Sequence, residues 1–175
     1  MARVILITGI MASGKSTVAQ ALAERLARSV HVRGDLFRRF IVNGREEMSP
    51  SPSPEAAAQL HLRYELGAET ARRYHAAGFD VVYQDVILGP DLTRVAGMLS
   101  DLPLEVVVLC PSPEVVASRE ASRSKRGYGD WTVADLDTDF RDETPRIGYW
   151  LDTSELTVDE TVDRILARRA SSPAP

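Results

Sequence analysis

The chain has 175 residues, 44% apolar and 26% charged, with a net charge of −4 and one cysteine, Cys110. Those values suit a single soluble domain with its own core, and the acidic balance argues against a nucleic-acid partner, which draws a basic stripe. No run reaches the roughly 18 apolar residues of a membrane span, and MARVILITG lacks the basic flank and cleavage site of a signal peptide. A lone cysteine forms no internal disulfide, so Cys110 is expected to be a reduced core residue in a cytoplasmic protein.

Val4 to Thr8 is a continuous apolar run broken by Gly9, short enough for a buried parallel strand. The stretch GIMASGKST, Gly9 to Thr17, has the G-x-x-x-x-G-K-S skeleton of a loop that wraps nucleotide phosphates. From Lys15 the period changes. Val18, Leu22 and Leu26, with Ala19 and Ala23 beside them, form one apolar helix face. His31 to Arg33 predicts a second strand, and about Asp35 to Val42 a helix. The alternating prolines of residues 44–54 can continue neither a helix nor a central strand, so this stretch is loop. Pro54 suits the first turn of a long helix reaching about Ala77.

Phe79 to Asp85 predicts the third strand, a helix follows Pro90, and Leu104 to Cys110 predicts the fourth strand. Ser112-Pro113 opens a helix to about Ser122, and a basic, glycine-containing segment then runs to Asp130. Thr132 with Asp135 has the form of a capping box. Gly148 to Asp152 predicts the last strand, and Thr157 with Glu160 caps the closing helix. The domain is expected to span residues 1–170, with a flexible tail at 171–175. Five strands alternating with helices predict an α/β fold with a mostly parallel sheet covered on both faces. Ligands of such sheets sit outside the carboxyl ends of the strands. That rule puts Gly9 to Thr17, Asp35, Asp85 and the segment after Cys110 on one rim.

The chemistry follows from these positions. Gly9, Ala12, Ser13 and Gly14 lie between a strand and a helix, where small residues let successive N–H groups point at phosphate oxygens. Thr17 continues the loop into the helix, whose dipole adds positive potential. Lys15 reaches the β and γ phosphates, and the Ser16 hydroxyl ligates magnesium. Only two of the 21 basic residues are lysines, Lys15 and Lys125. A chain that writes nearly every cation as Arg keeps Lys at the position this loop requires.

A signalling GTPase needs an N/T-K-x-D motif, which is absent. Length and missing sensor elements argue against a motor or AAA-type machine. Transfer to a hydroxyl fits the remaining residues better. Asp35 can accept the acceptor proton, or cap its helix. Arg38, one turn on, can orient the acceptor, or face solvent. Asp85 ends an apolar strand, where a carboxylate holds magnesium directly or through water; it also stands near the acceptor position. The segment SREASRSKRGYGD carries Arg119, Arg123, Lys125 and Arg126, followed by Gly127 and Gly129. It is expected to be a lid, about residues 119–130, with Arg119 and Arg123 on the nucleotide and Arg123 and Arg126 stabilising transferred charge. Asp130 to Glu143 holds six acids against one arginine and is expected to be a solvated helix face. His31, His61 and His75 show no metal-ligand spacing.

GIMASGKS, GDLFRR, QDVILGP and SREASRSKR, in that order and spacing, resemble the chloramphenicol phosphotransferase-like proteins among the P-loop kinases. The likeness runs from about residue 4 to WLDTSELTVDETVDRI. It implies a strand order of 2-3-1-4-5, an Asp35 carboxylate that deprotonates the acceptor, and lid arginines on the nucleotide phosphates. It does not carry the substrate. The acceptor pocket falls to the Phe37–Arg45 region, the proline loop and the next helix, where Arg63, Tyr64 and Arg72 are candidate contacts or helix surface.

GKST followed by RGDLFR also resembles the kinase module that phosphorylates 5′-hydroxyl ends of nucleic acids. The missing aromatic-studded basic groove argues against that acceptor. A regulatory module that binds ATP without transferring it would leave Asp35 and the lid without purpose. The expectation is an ATP- and magnesium-dependent kinase of a small hydroxylated molecule.

Overall fold

The computed structural model describes residues 2–122 and 132–171. The expected lid residues Arg123, Lys125 and Arg126 and the tail from residue 172 lie outside them. In chain order the elements are β1 (Val4–Thr8), α1 (Lys15–Glu24), β2 (Ser29–Arg33), α2 (Gly34–Arg39), α3 (Pro54–Ala76) and β3 (Asp80–Gln84). There follow α4 (Pro90–Met98), β4 (Leu104–Leu109), α5 (Pro113–Ala121), α6 (Val133–Glu143), β5 (Tyr149–Leu151) and α7 (Val158–Ser171).

The five strands form one sheet in the order β2-β3-β1-β4-β5, with every pairing parallel. β1 is central, and all its residues are buried, which is why it reads as unbroken apolar sequence rather than as alternation. Successive side chains still point to opposite faces. Val4 and Leu6 join Tyr64, Ala68 and Tyr83 on the face covered by α3. Ile5 and Ile7 join Val18, Leu22 and Ile165 beneath α1 and α7. The result is a three-layer sandwich with the strand order that the resemblance implies.

Local chemistry sets the helix starts. The Ser53 Oγ accepts from the Ala56 N–H at 3.0 Å ahead of Pro54, and Ser112 caps α5 through Val115 N–H in the same way. Thr132 accepts from the Asp135 N–H at 3.1 Å. At α7 the capping box closes in both directions, with Glu160 N–H on Thr157 Oγ1 at 3.2 Å and Thr157 N–H on Glu160 Oε2 at 2.8 Å.

Some boundaries differ from the pattern. β2 starts at Ser29 because its pairing with Asp80 of β3 continues beyond the apolar residues. α2 stops at Arg39, and Phe40 and Ile41 follow in a tight turn that bonds back three residues. Asp137, expected on a solvated face, is only 4% exposed and accepts from Arg141 Nε at 2.6 Å. Arg141 also donates to the Pro111 carbonyl at 2.9 Å, tying α6 to the end of β4. Cys110 is buried and free. No helix among the described residues is long and apolar enough to cross a membrane.

Candidate active site

Backbone conformation shapes the phosphate loop first. Gly9 has φ 150° and Gly14 φ 95°. A Cβ on Gly9 would stand 2.5 Å from the Leu109 carbonyl oxygen and 2.8 Å from Ser13 Oγ, so only glycine lets the chain leave β1 this closely. Ala12 has φ 60° and is the only non-glycine residue at positive φ among the described residues. Such strain concentrates at binding loops. Lys15 is buried, and its Nζ donates to the Ile10 carbonyl at 2.7 Å, folding the side chain over the loop it belongs to. Ser16 and Thr17 are exposed on the first turn of α1. All seven loop residues named from the sequence therefore lie at one strand-to-helix junction.

On the β4–β5 side of this loop lies a cavity of about 290 Å³, bordered by Ser13, Gly14, Thr17, Arg119, Leu156 and Thr157 among others. Arg119 of α5 is part of its lining. Its guanidinium donates to the Ser13 carbonyl at 3.4 Å and to the Thr153 carbonyl at 3.2 Å. Thr153 also lines the cavity, and its buried Oγ1 has no hydrogen-bond partner. Of this wall the sequence pointed to Arg119, and Asp152 to Leu156 carries no decisive residue in sequence. The residues become a wall only when the turn after β5 folds back against α1.

On the β2–β3 side stand the carboxylates. Asp35 lies in the first turn of α2, whose N-cap is Arg33, so Asp35 is not the capping residue. Its Oδ2 accepts from Arg39 Nη2 at 2.8 Å, while its buried Oδ1 has no hydrogen-bond partner and faces Arg33 Nε as an ion pair at 3.7 Å. Arg38 pairs with Glu47, one of the residues of the loop before α3. Asp85 follows β3 directly, with its backbone N–H on the Ile7 carbonyl of β1 at 3.2 Å. Arg63 of α3 grips the Asp85 carboxylate through both oxygens, from Nε at 2.7 Å to Oδ2 and from a terminal nitrogen to Oδ1. The Val86 N–H adds a bond of 2.7 Å to Oδ1.

This pair corrects one expectation. Arg63 is not helix surface: its side chain is 13% exposed and that of Asp85 is 1% exposed. Both Asp85 oxygens accept from the Arg63 guanidinium, so a magnesium role for Asp85, direct or through water, would be shared with that pairing. Ser16 fits magnesium in that it is an exposed hydroxyl residue on the first turn of α1, and nucleotide oxygens and water habitually complete such sites. No group of three or more His, Cys, Asp or Glu side chains among the described residues could hold a metal. The other two candidates of α3 separate. Tyr64 is a core residue whose hydroxyl donates to the Val86 carbonyl at 2.8 Å. Arg72 turns away to Asp101. Arg123 and Arg126, expected on the nucleotide and the transferred phosphate, lie outside the described residues.

Burial pulls the Arg63 guanidinium below its ordinary pKa, opposed chiefly by the neighbouring Tyr64 and Tyr83. The Tyr64 and Tyr83 hydroxyls are pushed well up, chiefly by burial, and stay protonated at neutral pH.

A family model described as AAA domain matches residues 4–139. The chain belongs to the AAA domain family. Among solved structures, this AAA domain protein is similar to a sugar kinase from Janibacter sp., with 16% identity, 99% of this chain and 97% of that chain covered, and a TM-score of 0.70. It is similar to the tunicamycin resistance protein of Deinococcus radiodurans, with 18% identity, 100% and 99% covered, and a TM-score of 0.71. It is also similar to shikimate kinase from Bacteroides thetaiotaomicron, with 18% identity, 96% and 98% covered, and a TM-score of 0.66. These likenesses establish the fold, a five-stranded P-loop kinase sheet. A UPF0200 protein of Aeropyrum pernix is 39% identical over 64 residues, 37% of this chain. The matched part amounts to 33% of that curated relative's length.

Proposed function

We propose that this AAA domain protein is a kinase that moves the γ phosphate of ATP to a hydroxyl of a small molecule. One observation carries the reading: the order β2-β3-β1-β4-β5 separates a donor side from an acceptor side. The phosphate loop leaves the central strand. The cavity beside Arg119 opens toward β4 and β5, and Asp35 stands at the end of β2. A triphosphate laid along the loop with its base in the cavity has its γ phosphate on the β2–β3 side, where a base is waiting.

The loop amides and Lys15 bind the phosphates, Lys15 exchanging its bond to the Ile10 carbonyl for phosphate oxygens. Arg119 and the Thr153–Thr157 turn hold the nucleoside. Asp35 Oδ1, without a hydrogen-bond partner, accepts the proton of the acceptor hydroxyl. The freed oxygen forms the new bond to the γ phosphorus as the bond to the β–γ bridging oxygen breaks, and ADP leaves. Magnesium at Ser16 would neutralise charge on the β and γ oxygens. In this reading Arg123 and Arg126 act as lid arginines on that charge, and Arg38 orients the acceptor.

The resemblance to chloramphenicol phosphotransferase-like proteins supports a small-molecule acceptor, as do the sugar kinase and shikimate kinase that share the fold. The acidic balance weighs against a polynucleotide 5′-hydroxyl. The test is transfer from γ-labelled ATP with magnesium to a panel of hydroxylated small molecules, antibiotics included, beside a 5′-hydroxyl oligonucleotide. Asp35→Asn is expected to keep nucleotide affinity and lose about 10²-fold or more in turnover. Unchanged turnover removes Asp35 as the base. Label on the oligonucleotide alone replaces the acceptor class, and ATP binding with no transfer to anything favours a regulatory module.

A further inference from the structure

Arg63 takes no part in the transfer described above, yet the fold commits a buried carboxylate to it. Burying such a pair is costly and only weakly stabilising, so its position asks for another reason. An arginine engaged through Nε and one terminal nitrogen keeps three further N–H hydrogens. Among the described residues, Asp85 is the only acceptor these bonds reach. The bidentate grip also fixes the plane of the guanidinium, so the remaining donors are held in a set direction.

The surroundings carry charge that an anion can exchange for. From Arg33 to Glu47 four arginines meet three acids, Arg33 and Arg39 pairing with Asp35, and Arg38 and Arg45 with Glu47. Arg38 stands on α2, which packs against the helix α3 that carries Arg63, and its partner Glu47 is 58% exposed on the loop before α3, a contact that a bound anion can replace. The Asp85 carboxylate is braced from behind, because the backbone of Gly34 lies against it where a side chain would stand. Gly34 is the residue before Asp35, so one contact sets both the proposed base and the anchor of Arg63.

We propose that Arg63, held by Asp85 and assisted by Arg38, binds an oxyanion of the acceptor, making the acceptor a hydroxyl compound that carries a carboxylate or a phosphate ester. The inference rests on the kinase reading for its assignment of the β2–β3 side to the acceptor. Asp85 then serves the acceptor as a positioning residue rather than the metal. A fixed anion beside Asp35 also orients the hydroxyl toward Oδ1, which lowers the entropy lost on reaching the transfer geometry.

The test separates binding from transfer. With the phosphate loop filled by a non-hydrolysable Mg-ATP analogue, malonate and inorganic phosphate are titrated calorimetrically as carboxylate and phosphate probes. Arg63→Gln alone leaves Asp85 buried without its counter-charge, so the deciding protein is R63Q/D85N, which removes both charges and whose folding is checked by thermal melting. R63K, which keeps the charge but not the fork, is the second variant and covers failure of the double variant to fold.

At least one probe is expected to bind the wild type and to lose about 10-fold or more in R63Q/D85N, the scale of a lost charge-assisted hydrogen bond. R63K is expected to lose affinity as well. Unchanged affinity in the folded variants, or no anion binding with the loop filled, overturns the site. In parallel, glycerol, glycerate and glycerol phosphate are compared as acceptors. Transfer to glycerol as efficient as to both anions overturns the inference and leaves the kinase reading standing. No transfer to any acceptor, with Arg63-dependent anion binding intact, overturns the kinase reading and leaves the anion site.

Discussion

Gly34 and Asp85 touch: the first residue of α2 packs so closely on the carboxylate after β3 that a Cβ there would overlap Asp85 Oδ2. Gly34→Ala therefore has to push apart α2 and a carboxylate held from the other side by Arg63. The expected cost is about 1–3 kcal/mol, the range for over-packing a filled interior, read as a lower urea midpoint. Turnover should fall with it because Asp35 shifts, while nucleotide affinity should change little. An unaltered midpoint would mean that the contact relaxes without strain.

Lys15 gives a second, independent prediction. Its Nζ is bonded to the Ile10 carbonyl at 2.7 Å, so Lys15→Ala costs the fold about 1 kcal/mol, a typical net value for one hydrogen bond. Triphosphate affinity should fall about 10-fold or more, because charge-assisted bonds to phosphate are the stronger ones. Titration with a fluorescent ATP analogue reads the loss, and normal binding in a folded variant would undo the assignment of the loop.

Arg119 distinguishes the two sides of the rim. Its bonds to Ser13 and Thr153 close one side of the cavity. Arg119→Met keeps the aliphatic stem and removes both bonds. Nucleotide affinity should fall about 10-fold, with binding of malonate or phosphate at Arg63 unaffected. Equal losses in both would mean that the two sides are not separate sites.

Glu105 of β4 offers a prediction in pH. Burial lifts its carboxyl above the ordinary value, opposed by Arg3 and Arg168, and its buried Oε1 has no hydrogen-bond partner. The folded chain therefore holds this proton to higher pH than the unfolded chain. Its contribution is most favourable below the unfolded value and is lost as pH rises through the folded one. Glu105→Gln removes that loss. The difference in melting temperature, variant minus wild type, should grow from pH 4 to pH 7, and a constant difference would exclude the titration.

The sequence by itself determined what is local. The helix starts at Lys15, Pro54 and Pro113, the buried strand β1 and the apolar strand β4, and the junction from Gly9 to Thr17 were legible because periodicity, proline, capping residues and glycine act on their own few neighbours. The parallel α/β class followed from the alternation of those elements. Tertiary structure decided what depends on distance in the chain. Arg63 and Asp85 stand 22 residues apart in sequence, and no pattern says which of the arginines on α3 turns inward. Arg63 does so because its face of the helix meets the end of β3, whereas Arg72, lower on the same helix, meets Asp101. Asp137 is buried among residues that look solvated because Arg141 and the Pro111 carbonyl give it a paired setting. Thr153 and Leu156 become a cavity wall only once the turn after β5 lies beside Arg119. Local chemistry names the residues that could bind or react, and packing between distant elements selects the ones that face each other.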